Sequence, residues 1–84
     1  MDTEATISRA GSLRKTLKFD YTEEDGTNVG SREVEPYSFR IKGGTRLFFG
    51  YDIGKGAIRA FKPAMIHSIT ITENSYSPRW PVEV

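Results

Sequence analysis

The sequence predicts a mainly β protein, a small closed barrel preceded by one short helix. Three observations lead there. After residue 15 most of the chain alternates apolar and polar side chains with a period of two, the mark of half-buried strands. Glycine-rich turns punctuate that alternation at short, even intervals. The chain is only 84 residues long, one small domain, for which closing the sheet removes edges that would otherwise lie open.

Residues 4–14 read as the helix, because Ile7, Ala10 and Leu13 or Arg14 recur on one face and Asp2 or Thr3 can cap its start. Gly11 weakens it by about 1 kcal/mol relative to alanine. Leu17, Phe19 and Tyr21 then alternate with Lys18 and Asp20 as a strand. In "EEDGTN" the Asp25-Gly26 pair signals a hairpin. The returning strand covers about 29–35, with Arg32 and Val34 placed on opposite faces. Pro36 has no N–H to give a ladder, so it bends or ends that strand. Further strands are expected over 37–41, 45–52, 57–61 and 66–72, with Gly43-Gly44 and Gly54-Lys55-Gly56 between them. The single domain spans 1–84, with a core of about 7–76 and an extended tail over 77–84 whose Trp80 latches onto the barrel.

Composition narrows the function. Twelve Lys and Arg against eleven Asp and Glu leave a net charge of +1, which excludes a strongly basic nucleic-acid protein but allows a local basic patch. Apolar content of 37% with 27% charged residues fits a globular domain, not a disordered tail. There is no cysteine, so disulfides and thiolate metal sites are out, in keeping with a cytoplasmic protein. No apolar run approaches the roughly 18 residues of a membrane span, and the first residues lack signal-peptide character. His67, the one histidine, reads as a surface or strand-edge residue, and no nucleophile or metal-ligand pattern accompanies it. No enzyme, metal or cofactor is expected. "GYDIGKG" lacks the ending and the helix of a phosphate loop and is a hairpin turn.

The most informative stretch is "RLFFGYDIGKGAIRAFKP". Its alternation sets Tyr51 opposite Ile58, Gly50 opposite Arg59, Phe49 opposite Ala60 and Phe48 opposite Phe61. One face then carries Leu47, Phe49, Tyr51, Ile58 and Ala60, an ordinary core. The other carries Arg46, Phe48, Gly50, Arg59 and Phe61, and two readings of it stand side by side. The helix can cover it with Ile7 and Leu13 while the arginines reach out at the rim. Alternatively, it is a platform on which rings stack a base and guanidinium groups hold phosphate, with Gly50 leaving space above the sheet.

The order "LKFDY", "SREVEPYSF", "LFFGYD", "IRAFKPAMI" and "ITIT" resembles the WYL domain family over about residues 7–76. The matching positions are Tyr21, then Arg32, Val34 and Pro36, then Tyr51 and Asp52, then Arg59, Phe61 and Ile66. There are departures. The name-giving tripeptide reads Arg46-Leu47-Phe48, and the usual Arg-Leu-Asp-Arg-Ile run reads Lys62-Pro63-Ala64-Met65-Ile66, which removes an acid and an arginine.

The resemblance implies a five-stranded antiparallel Sm-like or SH3-like barrel with a regulatory, ligand-sensing role. The family's members are bacterial transcription regulators and phage-defence accessory proteins, several responding to nucleic acids or nucleotides. It makes Arg32, Arg59 and the strand around Phe48 ligand-facing. With the face set by register, the candidate ligand-binding residues are Arg32, Arg46, Phe48, Arg59, Phe61 and Lys62. The expected partners are single-stranded nucleic acid or a nucleotide, with self-association or an attached helix-turn-helix domain. Only one short helix precedes the barrel, so a DNA-binding module is not expected within these residues. A protein-interaction or oligomerisation barrel is the alternative.

Overall fold

The computed structural model describes residues 2–84. Its elements are α1 (Thr3–Leu13), β1 (Lys15–Tyr21), β2 (Ser31–Lys42), β3 (Thr45–Asp52), β4 (Ala57–Phe61) and β5 (Ile66–Ser75), with a 3-10 turn over Pro63–Met65. The strands form one antiparallel sheet in the order β4-β3-β2-β1-β5. No helix among the described residues is long and apolar enough to cross a membrane.

Asp2 caps α1, its Oδ1 accepting from the Ala5 N–H at 2.7 Å. Thr6, Ile7, Ala10 and Gly11 are buried beneath the helix, whereas Leu13 is 50% exposed and takes no part in the lid. Gly11 has a packing reason: a Cβ there would collide with the Val84 side chain, so its absence lets the C-terminal tail lie against the helix.

The β1–β2 pairs, from Leu17 with Val34 to Asp20 with Ser31, keep the register of an Asp25-Gly26 hairpin. The ladder stops there, and residues 22–30 form a loop closed by the Glu23 N–H on the Thr27 carbonyl at 2.8 Å. Arg32 and Val34 share a face instead of dividing between two, because residues two apart on a strand point the same way. Both are buried, opposite Phe19 and Leu17. Of the two outcomes expected, the strand bends and does not end at Pro36. β2 runs through it with Tyr37 as the extra residue of a bulge, and Pro36 lies beyond the last β1 pair, where its missing N–H is not needed.

The β3–β4 register is the one read from the sequence, Phe48 opposite Phe61 and Tyr51 opposite Ile58. The two faces are exchanged. Phe48 and Phe61 are fully buried in the core with Ile7, Ala10, Leu17, Phe19 and Val34, while Leu47, Phe49 and Tyr51 are half-buried and Ile58 is exposed. Phe19 meets Phe61 edge-on at 5.2 Å, and Phe48 lies 5.9 Å from Phe61. The helix covers this face with Ile7 and Ala10, which is why it, and not the other, is dry. A Cβ at Gly50 would run into the Val34 side chain and the Glu35 carbonyl, so that glycine admits close core packing rather than open space for a ligand.

The sheet is not closed. β4 and β5 are its two edges and share no ladder. The 3-10 turn that joins them is tied to the end of β1, where the Lys62 N–H donates to the Tyr21 hydroxyl at 2.8 Å and the Thr22 N–H to the Met65 carbonyl at 3.1 Å.

The outer face is crossed by the tail. The Trp80 ring meets Tyr37 edge-on at 5.2 Å but stays 47% exposed. Firmer anchorage comes from the Glu83 N–H on the Tyr37 carbonyl at 2.6 Å and from Tyr76, whose hydroxyl donates to the Pro36 carbonyl at 2.7 Å. Burial pushes the Tyr37 phenol up to about 12, with the Glu35 carboxylate that accepts its hydrogen bond adding to the effect. Burial likewise pushes Tyr76 up to about 12.

Phe48→Ala is expected to cost about 3–5 kcal/mol and Phe49→Ala far less, read from denaturation midpoints, because only the first leaves a cavity in the core. In alkali the folded state holds the Tyr37 and Tyr76 protons more tightly than the unfolded chain. Their contribution to stability is therefore present below the ordinary value of 10.0 and lost as pH rises through about 12. Thermal melts across that window should show the loss, and the double Phe variant at these positions should lack it.

Candidate anion-binding site

Arg32 projects from β2 into the interior and is 7% exposed. A buried guanidinium must be neutralised and hydrogen-bonded. Here Nη1 donates to Asp52 Oδ2 and Nη2 to Glu23 Oε2, both at 3.3 Å. The guanidinium carbon stands 5.6 Å from the Tyr21 ring centre and 5.5 Å from that of Phe61. Its Nε is buried without a partner among the described residues.

Asp52 is 2% exposed and does two things at once. One oxygen takes Arg32. The other accepts the Lys55 N–H at 3.2 Å, while the Asp52 carbonyl accepts the Gly56 N–H at 2.8 Å, so the same residue organises the β3–β4 turn.

Arg59 reaches the site from β4. Its Nη2 donates to the same Glu23 Oε2 at 3.2 Å, its guanidinium lies 5.7 Å from the Phe61 ring centre, and its side chain is 31% exposed. Lys62, just past β4, binds the Glu24 carboxylate. That hydrogen bond, and the charge behind it, hold the Glu24 carboxyl below the usual carboxylate range and push the Lys62 ammonium up. Beside Arg32 a cavity of about 480 Å³ opens to the surface, lined also by Lys18, Lys55, Glu33 and Asp52 but by neither Arg59 nor Lys62.

Of the six residues singled out in the sequence, the fold gathers Arg32, Arg59, Lys62 and Phe61. Arg46 is elsewhere: it lies 4.3 Å from the centre of the Phe39 ring and donates to Glu4 Oε1 at 2.9 Å, tying the start of α1 to the sheet. Phe48 is sealed in the core, and Phe61 is fully buried beneath Arg32 and Arg59. Neither ring has a face free for a base, so base stacking on this pair is set aside. Phe61 instead lies beneath the Arg32 and Arg59 guanidinium groups.

Sequence reasoning missed Glu23 and Glu24 as partners, because their acidic cluster reads as an ordinary solvated turn. The one available signal is that two adjacent acids share a chain with several unassigned cations near its aromatic strands. Chemically, the arrangement gathers three cations, each already met by a carboxylate: Arg32 by Asp52 and Glu23, Arg59 by Glu23, and Lys62 by Glu24. Among the described residues no group of His, Asp and Glu is disposed to hold a metal ion. His67 is exposed at the start of β5.

The sequence matches the family model described as WYL domain over residues 2–71. No curated protein matches it. Among solved structures, the fold is similar to proteasome accessory factor B/C (PafBC) of Arthrobacter aurescens, with a TM-score of 0.81 and 24% identity over 93% of this chain. The chain spans 13% of the length of that protein.

Arg32→Ala is expected to cost about 3–5 kcal/mol in chemical denaturation, because it strands the buried Asp52 carboxylate. Arg59→Ala, which breaks a partly exposed pair, should cost no more than about 1 kcal/mol. Equal losses for the two would show that Arg32 is not the interior residue.

Proposed function

The chain belongs to the WYL domain family, and we propose that it is a non-enzymatic regulatory module that senses a phosphate-bearing ligand. The ligand is single-stranded nucleic acid or a nucleotide, and the module serves a transcription or phage-defence protein. The observation that carries the reading is the convergence of Arg32 and Arg59 on a single carboxylate oxygen, at 3.3 and 3.2 Å. Two guanidinium groups aimed at one point, with Lys62 adjacent, are suited to phosphate oxygens.

Other features support it. Asp52 and the rings of Tyr21 and Phe61 hold Arg32 before any ligand arrives, so little ordering cost attends binding. The cavity beside Arg32, edged by Lys18 and Lys55 as well as by Glu33 and Asp52, gives room for the rest of a nucleotide. The structural neighbour carries the name of an accessory factor, and its matched part is 13% of a longer chain. That supports a module attached to other domains, a helix-turn-helix domain among them. The Sm-like or SH3-like description fits the curled sheet wrapped on Phe19, Phe48 and Phe61, with its edges left apart.

A second reading rests on the outer face. A groove of about 420 Å³ there is lined by Tyr37, Phe49, Ile58 and Trp80, and Ile58 and Trp80 are 40% and 47% exposed. Such a groove suits a protein-interaction or oligomerisation module.

Titration of a short oligothymidylate, followed by amide chemical shifts, distinguishes the two. Shifts are expected at Arg59, Lys62 and the 22–30 loop. They should weaken steeply as salt rises, as phosphate contacts do, and be lost in Arg59→Ala. Shifts confined to Phe49, Ile58 and Trp80, or salt-independent self-association through them, would overturn the ligand reading.

A further inference from the structure

Glu23 places one carboxylate oxygen between two guanidinium groups and leaves the rest of their donors underused. Arg32 Nη2 and Arg59 Nη2 both donate to Oε2, at 3.3 and 3.2 Å, long for charge-assisted bonds. On a guanidinium, Nε–H and Nη2–H form one edge that can grip two oxygens side by side. On Arg32 that edge is half filled: Nη2 has Glu23, while Nε is buried and unpartnered. A buried donor left empty is unfavourable, and native proteins rarely tolerate one without a reason.

The loop that carries Glu23 is lightly held. Within it the Glu23 N–H bonds to the Thr27 carbonyl, the Gly26 N–H to the Glu23 carbonyl, the Thr27 N–H to Asp25 and the Gly30 N–H to Asn28. All of these are internal to the loop. Its backbone tie to the rest of the fold is the Thr22 N–H on the Met65 carbonyl, and residues 24–30 are exposed. The loop can therefore move as a unit with its own turn intact. The cations cannot follow, since Asp52 and the rings of Tyr21 and Phe61 keep Arg32 in place. Glu24, next in the chain, occupies Lys62 in the same way.

We propose that Glu23 is an internal stand-in for the ligand's phosphate: it closes the basic site in the free protein, and a phosphate ester binds by displacing it. A tetrahedral phosphate supplies what a single carboxylate oxygen does not. Two of its oxygens fill the Nε–Nη2 edge of Arg32, and a third meets Arg59, while Lys62 is released from Glu24 as the loop withdraws. The 22–30 loop then becomes the moving part that reports occupancy to whatever the domain is attached to. This rests on the ligand reading above and adds its regulation.

The test compares wild type with Glu23→Gln, using Asp25→Asn as a control that removes charge from the same loop without touching an arginine. The probes are 5′-AMP and an oligothymidylate without terminal phosphates, which separate a monoester from a strand's diesters. A gate closed in roughly nine molecules of ten weakens apparent affinity about tenfold, so Glu23→Gln should tighten binding of at least one probe by about that factor. Asp25→Asn should change it little. In ligand-free protein, phenylglyoxal should modify Arg59 faster in Glu23→Gln than in wild type.

Equal tightening by both variants would reduce the effect to net charge and overturn the gate. Unchanged Arg59 reactivity would show that Glu23 does not close the site, even if probes bind. If Arg59 reactivity rises while neither probe binds either protein, the phosphate stand-in falls together with the ligand reading.

Discussion

The structure depends on one buried charge. Arg32 carries a cation into an interior that otherwise holds Phe19, Phe48, Phe61 and Val34, and the fold accommodates it only because Asp52 meets it there. Asp52 can do so because it sits where β3 turns toward β4, and its second oxygen and carbonyl fix that turn. The turn sets the register, and the register brings Phe61 beneath the guanidinium. The lower rim of the core and the floor of the candidate site are thus the same residues. Removing the cation would cost the fold as well as the site, whereas Arg59 and Lys62 can vary without that penalty.

The strand register was legible because it follows from local alternation and a glycine turn, and all four pairs around "DIGKGA" occur. Which face turns inward was not. Leu47, Phe49 and Tyr51 are as apolar as Phe48 and Phe61, so patterning alone cannot choose between them. The choice is made at long range, by Ile7 and Ala10 covering one face and by Arg79 and Trp80 only partly shielding the other, where the Arg79 guanidinium lies 4.0 Å from the centre of the Tyr51 ring. From the sequence, Pro36 could either bend its strand or end it, and it is the bend that occurs. Its missing N–H is a real local constraint, but a bulge beyond the end of the β1 ladder absorbs it.

The site was half legible. Arg32 and Arg59, singled out by the family order, do meet at one corner of the fold, and the register linked Arg59 to Phe61. Arg46 shares their strand face in pattern but lies past the end of β4, where Glu4 and Phe39 take it up. Glu23 and Glu24 could not be found from the sequence, because a carboxylate in a turn gains a role only when residues 9 and 36 positions away are folded beside it. Glycines gave the same lesson: Gly11 and Gly50 look like flaws in a helix and a strand, and both turn out to admit a neighbouring side chain.

The most direct measurement is the nitrogen–proton correlation spectrum of the arginine Nε–H groups, followed as a 5′-phosphorylated oligothymidylate is added. The Arg32 Nε–H, alone and buried in the free protein, should move downfield and exchange more slowly with solvent as an oxygen fills its place. An Arg32 Nε–H that stays unchanged at saturation, while Arg79 or the Trp80 indole shifts instead, would contradict phosphate capture at this site.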